Sequence, residues 1–211
     1  KSLLDNGYVV IAPPSSDVAS GWDTNENAFC PKSRCGENVG PTVEQYPSTR
    51  DYALFTTLCA TMASSTTSSG FGVKLDLGHL YAAGISGGGY NTSRMAINFP
   101  GKFRALAIQS ASYASCSGFY CPTIPVPAAS HPPTLFLHGA GDRLVPVTSM
   151  FPYSAKLAAQ GKSYEVVDYT PGLLRLGDTR CNRESQSNCA VAHQWIAAAP
   201  VEILNWFQSH P

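Results

Sequence analysis

Charge is what this sequence has least of. Asp, Glu, Lys and Arg make up 13% of its 211 residues, about half the share found in an average globular chain. The 14 basic residues are offset by 14 acidic ones, so no excess of positive charge is available to hold nucleic acid or an anionic membrane surface. Ser, Thr, Gly and Pro take the vacant places, giving a polar but weakly ionised surface suited to an uncharged partner. No run of about 18 or more apolar residues occurs, so no membrane span is expected. No basic-then-apolar leader opens the chain. Internal repeats and low-complexity tracts are absent too, and one domain covering 1–211 is the expectation. Nothing in the pattern specifies an oligomeric state.

Zinc-type cysteine spacing is also missing. Of the seven cysteines, six fall in three close pairs, Cys30 with Cys35, Cys116 with Cys121 and Cys181 with Cys189, and none forms a Cys-x-x-Cys or has a suitably spaced histidine. Each pair lies among Gly, Ser, Pro or Asn, where the chain can turn back and bring the sulfurs together. Disulfides within the pairs are therefore expected, and they imply an oxidising, extracellular compartment. Cys59 stands alone in an apolar helical pattern and is expected to be a buried free thiol. No metal is called for.

What is there is an alternation of short β-rich apolar runs with helical patterns, the mark of an α/β fold with a mainly parallel sheet covered by helices on both faces. Residues 1–6 read as the end of a helix closed by Gly7, and 8–12 as a strand. A long loop over 13–47 holds Trp22, and loops of such length in a compact domain are usually functional. Ser48 or Thr49 caps a helix to about residue 64, with Tyr52, Phe55, Leu58, Cys59 and Met62 on one apolar stripe. Further strands are expected over 80–83, 103–109, 134–138 and 164–169, and further helices over 88–98, 149–160 and 200–209.

Between the strand at 80–83 and the helix at 88–98 lies Gly84-Ile85-Ser86-Gly87-Gly88. A serine at such a junction sits on a sharp turn at the carboxyl end of its strand, and glycines two residues to either side would avoid a clash of side chains. The turn aims the N–H of Gly87 and the positive end of the next helix at an oxygen that becomes anionic during acyl transfer. A serine hydroxyl needs a base to take its proton, and the base needs an acid to fix its tautomer. Asp142 follows the strand at 134–138 in a glycine-rich loop, which makes it the candidate acid. Its alternative role is an Asx turn, and Asp168, inside a strand, is the fallback acid. Among the histidines, His79 and His131 precede strands at the wrong edge, His210 is next to the last residue, and His138 reads as packed against Asp142. His193, after the last strand and before the closing helix, is the candidate base. Ser86, Asp142 and His193 then arrive in the chain order that an α/β hydrolase uses.

On these residues, together with Gly7-Tyr8-Val9-Val10-Ile11-Ala12-Pro13, His138-Gly139, Val145-Pro146 and His193-Gln194-Trp195, the chain from about Gly7 to Phe207 resembles the secreted esterase and polyhydroxybutyrate depolymerase-like branch of the α/β hydrolases, which includes feruloyl-esterase-like members. The resemblance implies hydrolysis of neutral carboxylic esters or polyesters through an acyl-enzyme on Ser86, with no cofactor. It also implies strands and an oxyanion loop ahead of residue 8 that this sequence does not contain. The natural protein is therefore expected to carry several tens of further residues before Lys1, and a chain truly beginning there would be expected to have weak activity. Trp22 and Trp195 are the candidates to wall a substrate groove, whereas Trp206 on the closing helix should pack in the core. Two rivals stand beside the esterase: a serine peptidase on the same fold, and a non-catalytic binding protein that has kept the elbow. Asn91-Thr92-Ser93 matches a glycosylation sequon but lies on the helix after Ser86, where burial would block it.

Overall fold

The computed structural model describes residues 3–15, 22–23, 43–114, 124–139, 142, 144–169, 193, 195 and 198–211. Four strands form one parallel sheet in sequential order: β1 (Tyr81–Ile85), β2 (Ala105–Gln109), β3 (Thr134–Gly139) and β4 (Tyr164–Tyr169). Among the described residues, four helices accompany them: α1 (Arg50–Ala63), α2 (Gly87–Asn98), α3 (Phe151–Ala159) and α4 (Ala199–Gln208).

Side chains alternate across the strands and so divide the core. From β2 and β3, Ala105, Ala107, Leu135 and Leu137 meet Ala199, Ile203, Trp206 and Phe207 of α4 on one face. Ile108 and Phe136 point the other way, into a cluster with Tyr90 of α2 and Tyr153 and Leu157 of α3. Leu106 joins Phe55 of α1 and Met95 and Ala96 of α2. Every residue of β2 and β3 is buried, which is why both read as continuous apolar runs rather than alternating ones. Alanines at 105 and 107 leave room for the two large rings of α4. Trp206 is buried there, as the sequence led one to expect.

Helix ends follow their sequence signals. Thr49 caps α1 by accepting from Tyr52 N at 3.2 Å, and Pro200 falls in the first turn of α4. The first described element is a single 3-10 turn, Leu4–Asn6, closed by Gly7 at φ 80°; the left-handed conformation there suits glycine.

Two expectations need correction. Residues 8–12 are not a strand: Val9 and Val10 are about half exposed, and no ladder joins this run to the sheet among the described residues. Tyr8 instead sets its ring edge-on to Tyr81 at 5.7 Å. An apolar run is only a candidate for pairing, and it becomes a strand when another backbone is there to satisfy it. Cys59 is a free thiol but is half-buried rather than buried, because α1 turns its 59 position towards the margin of the core.

Register decides where chemistry can happen. Ile85 lies opposite Gln109, and Gln109 opposite Leu137, so the residues following β1, β2 and β3 all emerge at one carboxyl edge. In open parallel sheets this edge is where ligands bind. The opposite, amino edge carries a groove of about 470 Å³ bordered by Leu77, Lys102, Arg104, Ser130 and Pro133, at the other end of the strands from Ser86.

Candidate active site

Ser86 links β1 to α2 with φ 52° and ψ −122°, a conformation that costs a residue with a β-carbon about 1–3 kcal/mol. Its N–H continues the sheet by donating to Gln109 O at 2.9 Å, and its carbonyl accepts from Tyr90 N at 3.0 Å. Held by these two bonds, the residue occupies the N-cap place of α2, yet its side chain makes no capping bond. The hydroxyl is thus left over from the local structure, where a serine would ordinarily be spent on the helix. As the first residue of α2, Gly87 has an N–H with no acceptor within the helix.

Glycine is needed around this turn, though not quite where the pentapeptide indicated. A β-carbon on Gly84 would lie 2.3 Å from the carbonyl carbon and oxygen of Gly88, and one on Gly89 would lie 2.7 Å from the Ala111 side chain. One on Gly88 would meet nothing within 4 Å. The close approach of α2 to the strands therefore falls at Gly84 and Gly89, and the expectation for Gly88 is corrected. The spacing could have revealed Gly89 only through the helix period, since it faces Ala111 across the packing surface.

Asp142 is held by its backbone and by its carboxylate. Its N–H donates to Gly139 O at 3.0 Å. Oδ1 accepts from Leu144 N at 3.0 Å and Val145 N at 2.9 Å, while Oδ2 accepts from His193 Nδ1 at 2.8 Å. One oxygen thus closes an Asx-type turn and the other meets the His193 ring. The carboxylate is fully buried and the His193 ring nearly so, at 12% exposure, so the pair interacts out of reach of most solvent. Because a carboxylate only accepts, Nδ1 of His193 carries the proton and Nε2 is left with a lone pair. No hydrogen bond joins His193 to Ser86.

The other histidines are occupied elsewhere. His79 pairs with Asp76 on the surface at 2.6 Å, and His210 bonds Trp206 O and Ser209 at the end of α4. His131 is buried between Pro132 O and the Tyr153 hydroxyl, and burial pushes its pKa down to about 4. His138 donates to Val145 O at 2.7 Å. Asp168 is in β4 opposite His138 in register.

The tryptophans separate. Trp195 is half exposed, two residues from His193. Trp22 stacks on Phe55 of α1 with ring centres 5.6 Å apart, so its ring is taken up by that helix. Next to it, Asp23 accepts from Arg50 N at 2.7 Å and pairs with the Arg50 guanidinium, placing a buried carboxylate at the positive end of α1. Nothing in the local sequence marked Asp23, because its partner is 27 residues away. Asn91 is buried and accepts from the Tyr46 hydroxyl at 2.9 Å, which agrees with the reading of its sequon as blocked. The six cysteines expected to pair, Cys30, Cys35, Cys116, Cys121, Cys181 and Cys189, lie outside the described residues. Among the described residues, no helix is long and apolar enough to cross a membrane.

A strand, a strained serine and a helix packed through glycine, with an Asp–His pair emerging beyond neighbouring strands, define the class: this is the α/β-hydrolase fold. Solved structures agree, among them the esterase PE8, 15% identical with a TM-score of 0.57 over 95% of this chain and 78% of that one, and a thermostable esterase, 18% identical with a TM-score of 0.52 over 75% of this chain and 36% of that one. More particularly, the whole chain is 41% identical to the poly(3-hydroxyoctanoate) depolymerase of Pseudomonas fluorescens, and it spans 62% of that relative's length. No family model matches.

Proposed function

We propose that this chain is the catalytic part of a serine esterase that hydrolyses neutral carboxylic esters, including aliphatic polyesters. The observation that carries the reading is the buried Asp142–His193 hydrogen bond at the sheet edge where Ser86 stands with an uncommitted hydroxyl.

Ser86 Oγ attacks the ester carbonyl carbon while His193 Nε2 takes the hydroxyl proton. Asp142, already bonded to Nδ1, stabilises the imidazolium that results. Negative charge develops on the former carbonyl oxygen and is met by the Gly87 N–H and the positive end of α2. The tetrahedral intermediate collapses by breaking the bond to the alcohol oxygen, which leaves with the proton from His193. Water then repeats the sequence on the acyl-enzyme and releases the acid. The Ser86–His193 bond has to close for the first step, and catalytic hydrogen bonds commonly tighten only once substrate is bound.

The relative's name supplies a substrate class, a polyester whose units carry an alkyl side chain. Half-exposed apolar residues flank the acid and base to suit it: Leu144, whose N–H is bonded to Asp142, and Trp195. Two residues of chain span at most about 7 Å, so Trp195 cannot be far from His193. We place the protein outside the cell, on the strength of the weakly charged surface and the three cysteine pairs. Non-reducing peptide mapping should then join Cys30 to Cys35, Cys116 to Cys121 and Cys181 to Cys189, and long-range pairing among them would overturn that framework.

The test is hydrolysis of p-nitrophenyl acetate, butyrate and octanoate and of a poly(3-hydroxyoctanoate) latex, with a peptide panel alongside. The expected result is ester cleavage that is lost when an organophosphate adds its mass at Ser86. Binding of the latex without cleavage of any ester would replace the enzyme with a binding protein, and cleavage of peptides alone would make it a peptidase.

A further inference from the structure

We infer that His138 is a positioning residue for Asp142, holding the proposed acid at the angle from which it meets His193; this rests on the esterase reading above. His138 is the penultimate residue of β3 and its side chain is 1% exposed. Nε2 lies 2.7 Å from Val145 O, and since a carbonyl only accepts, that nitrogen carries the proton. The N–H of the same Val145 donates to Asp142 Oδ1. Both polar groups of one peptide residue are therefore engaged, one by the end of the strand and the other by the acid.

The same Nε2 is 3.8 Å from Asp142 Oδ2, the oxygen that accepts from His193 Nδ1. Among the described residues, His138 and His193 are the titratable groups that face this carboxylate. They differ in access. His193 keeps 12% of its side chain exposed against 1% for His138, and only His193 has a ring nitrogen placed to serve a substrate.

The tie has a reason. In the sequence, Gly139 ends β3 and Gly141 directly precedes Asp142, and glycine restricts a backbone less than any other residue. Val145, by contrast, is set in the core cluster that includes Phe136 and Tyr153. Bonding Val145 to His138 makes that core the reference point from which Asp142 is held. Misplacing a catalytic constellation by about 1 Å can cost on the order of a hundredfold in rate.

The experiment compares His138→Leu, which removes the donor, with His138→Gln, whose side-chain N–H reaches about as far as Nε2, and with His138→Asn, which falls one bond short. Rates on p-nitrophenyl butyrate are expressed per active site titrated to completion with an organophosphate, so that loss of folded protein does not register as loss of turnover. The expected result is a kcat lowered about tenfold to a hundredfold in His138→Leu, a KM within about twofold of wild type, and recovery of most of kcat in His138→Gln. Should the leucine variant not fold, the glutamine variant is still expected to turn over at least about tenfold faster than the asparagine variant. Equal kcat per titrated site in wild type and His138→Leu, or in the glutamine and asparagine variants, overturns the inference while leaving the esterase reading intact. Wild-type protein that neither cleaves the ester nor takes the label overturns both.

Discussion

Two neighbouring strands of the sheet end alike and to different effect. β1 hands over to Ser86 at φ 52° and β2 to Ser110 at φ 48°, and each serine sends its N–H to the next strand, to Gln109 O and Leu137 O respectively, at 2.9 Å. Backbone strain and sheet bonding are thus nearly the same at both. Ser110, however, is 1% exposed and leads into buried Ala111 and Tyr113, whereas Ser86 is partly open and is followed at once by α2. Backbone strain at the carboxyl edge therefore does not by itself make a serine a candidate nucleophile. Access and a helix terminus behind it make the difference.

The sharpest way to break this contrast is Ser86→Ala, which should reduce turnover of p-nitrophenyl butyrate by about 10⁵-fold or more without unfolding the protein. Residual activity of even a few per cent would make the comparison meaningless. Asp142→Asn is expected to cost about 10⁴-fold by favouring the wrong tautomer of His193; if Asp168→Asn does this instead, the acid has been misassigned.

Stability measurements sharpen the same contrast from the packing side. Gly84→Ala drives a β-carbon into the backbone at Gly88 and should lower stability in urea by about 3 kcal/mol or more, while Gly88→Ala, which meets open space, should stay within about 1 kcal/mol. Comparable losses at both would show that the elbow is not packed as described.

A similar pairing exists among the histidines, since His131 is buried without a carboxylate and His193 with one. With its pKa down from 6.5 to about 4 in the fold, His131 takes up a proton more readily when unfolded. Its contribution is complete above pH about 6.5 and is lost as pH falls towards 4, amounting to about 3 kcal/mol. Urea titrations between pH 7 and 4 should show this acid-side decline in wild type and a shallower one in His131→Gln. Parallel curves would contradict it. The smallest effect is reserved for Ser110→Ala, which should leave kcat/KM within about threefold; a loss approaching that of Ser86→Ala would erase the distinction between the two strand ends.

Much of the fold was legible because periodicity and burial are written locally. The runs at 105–109 and 134–139 are apolar throughout since both faces of the sheet are covered, and α1 begins where Thr49 can cap it. The run at 8–12 looked the same and is no strand, because pairing depends on a second backbone that hydropathy does not encode. At the site, Ser86 was visible from its glycines and from the change of period around it. The proposed acid and base follow from chain order and element position, which is enough to nominate Asp142 and His193 but not to bring them within 2.8 Å.

What the sequence determined by itself, then, was residue chemistry and local geometry: a serine forced into an elbow, a weakly charged surface, strands and helices in alternation. Tertiary structure decided everything that depends on distance between remote residues. It chose Gly89 over Gly88 as the close contact and turned Trp22 onto Phe55. It also gave Asp23 to the amino end of α1 and set His138 and Val145 around Asp142. The physical reason is that propensity and strain act within a few residues, whereas hydrogen bonds and packing act over a few ångströms of space, and only the register of a parallel sheet converts one into the other.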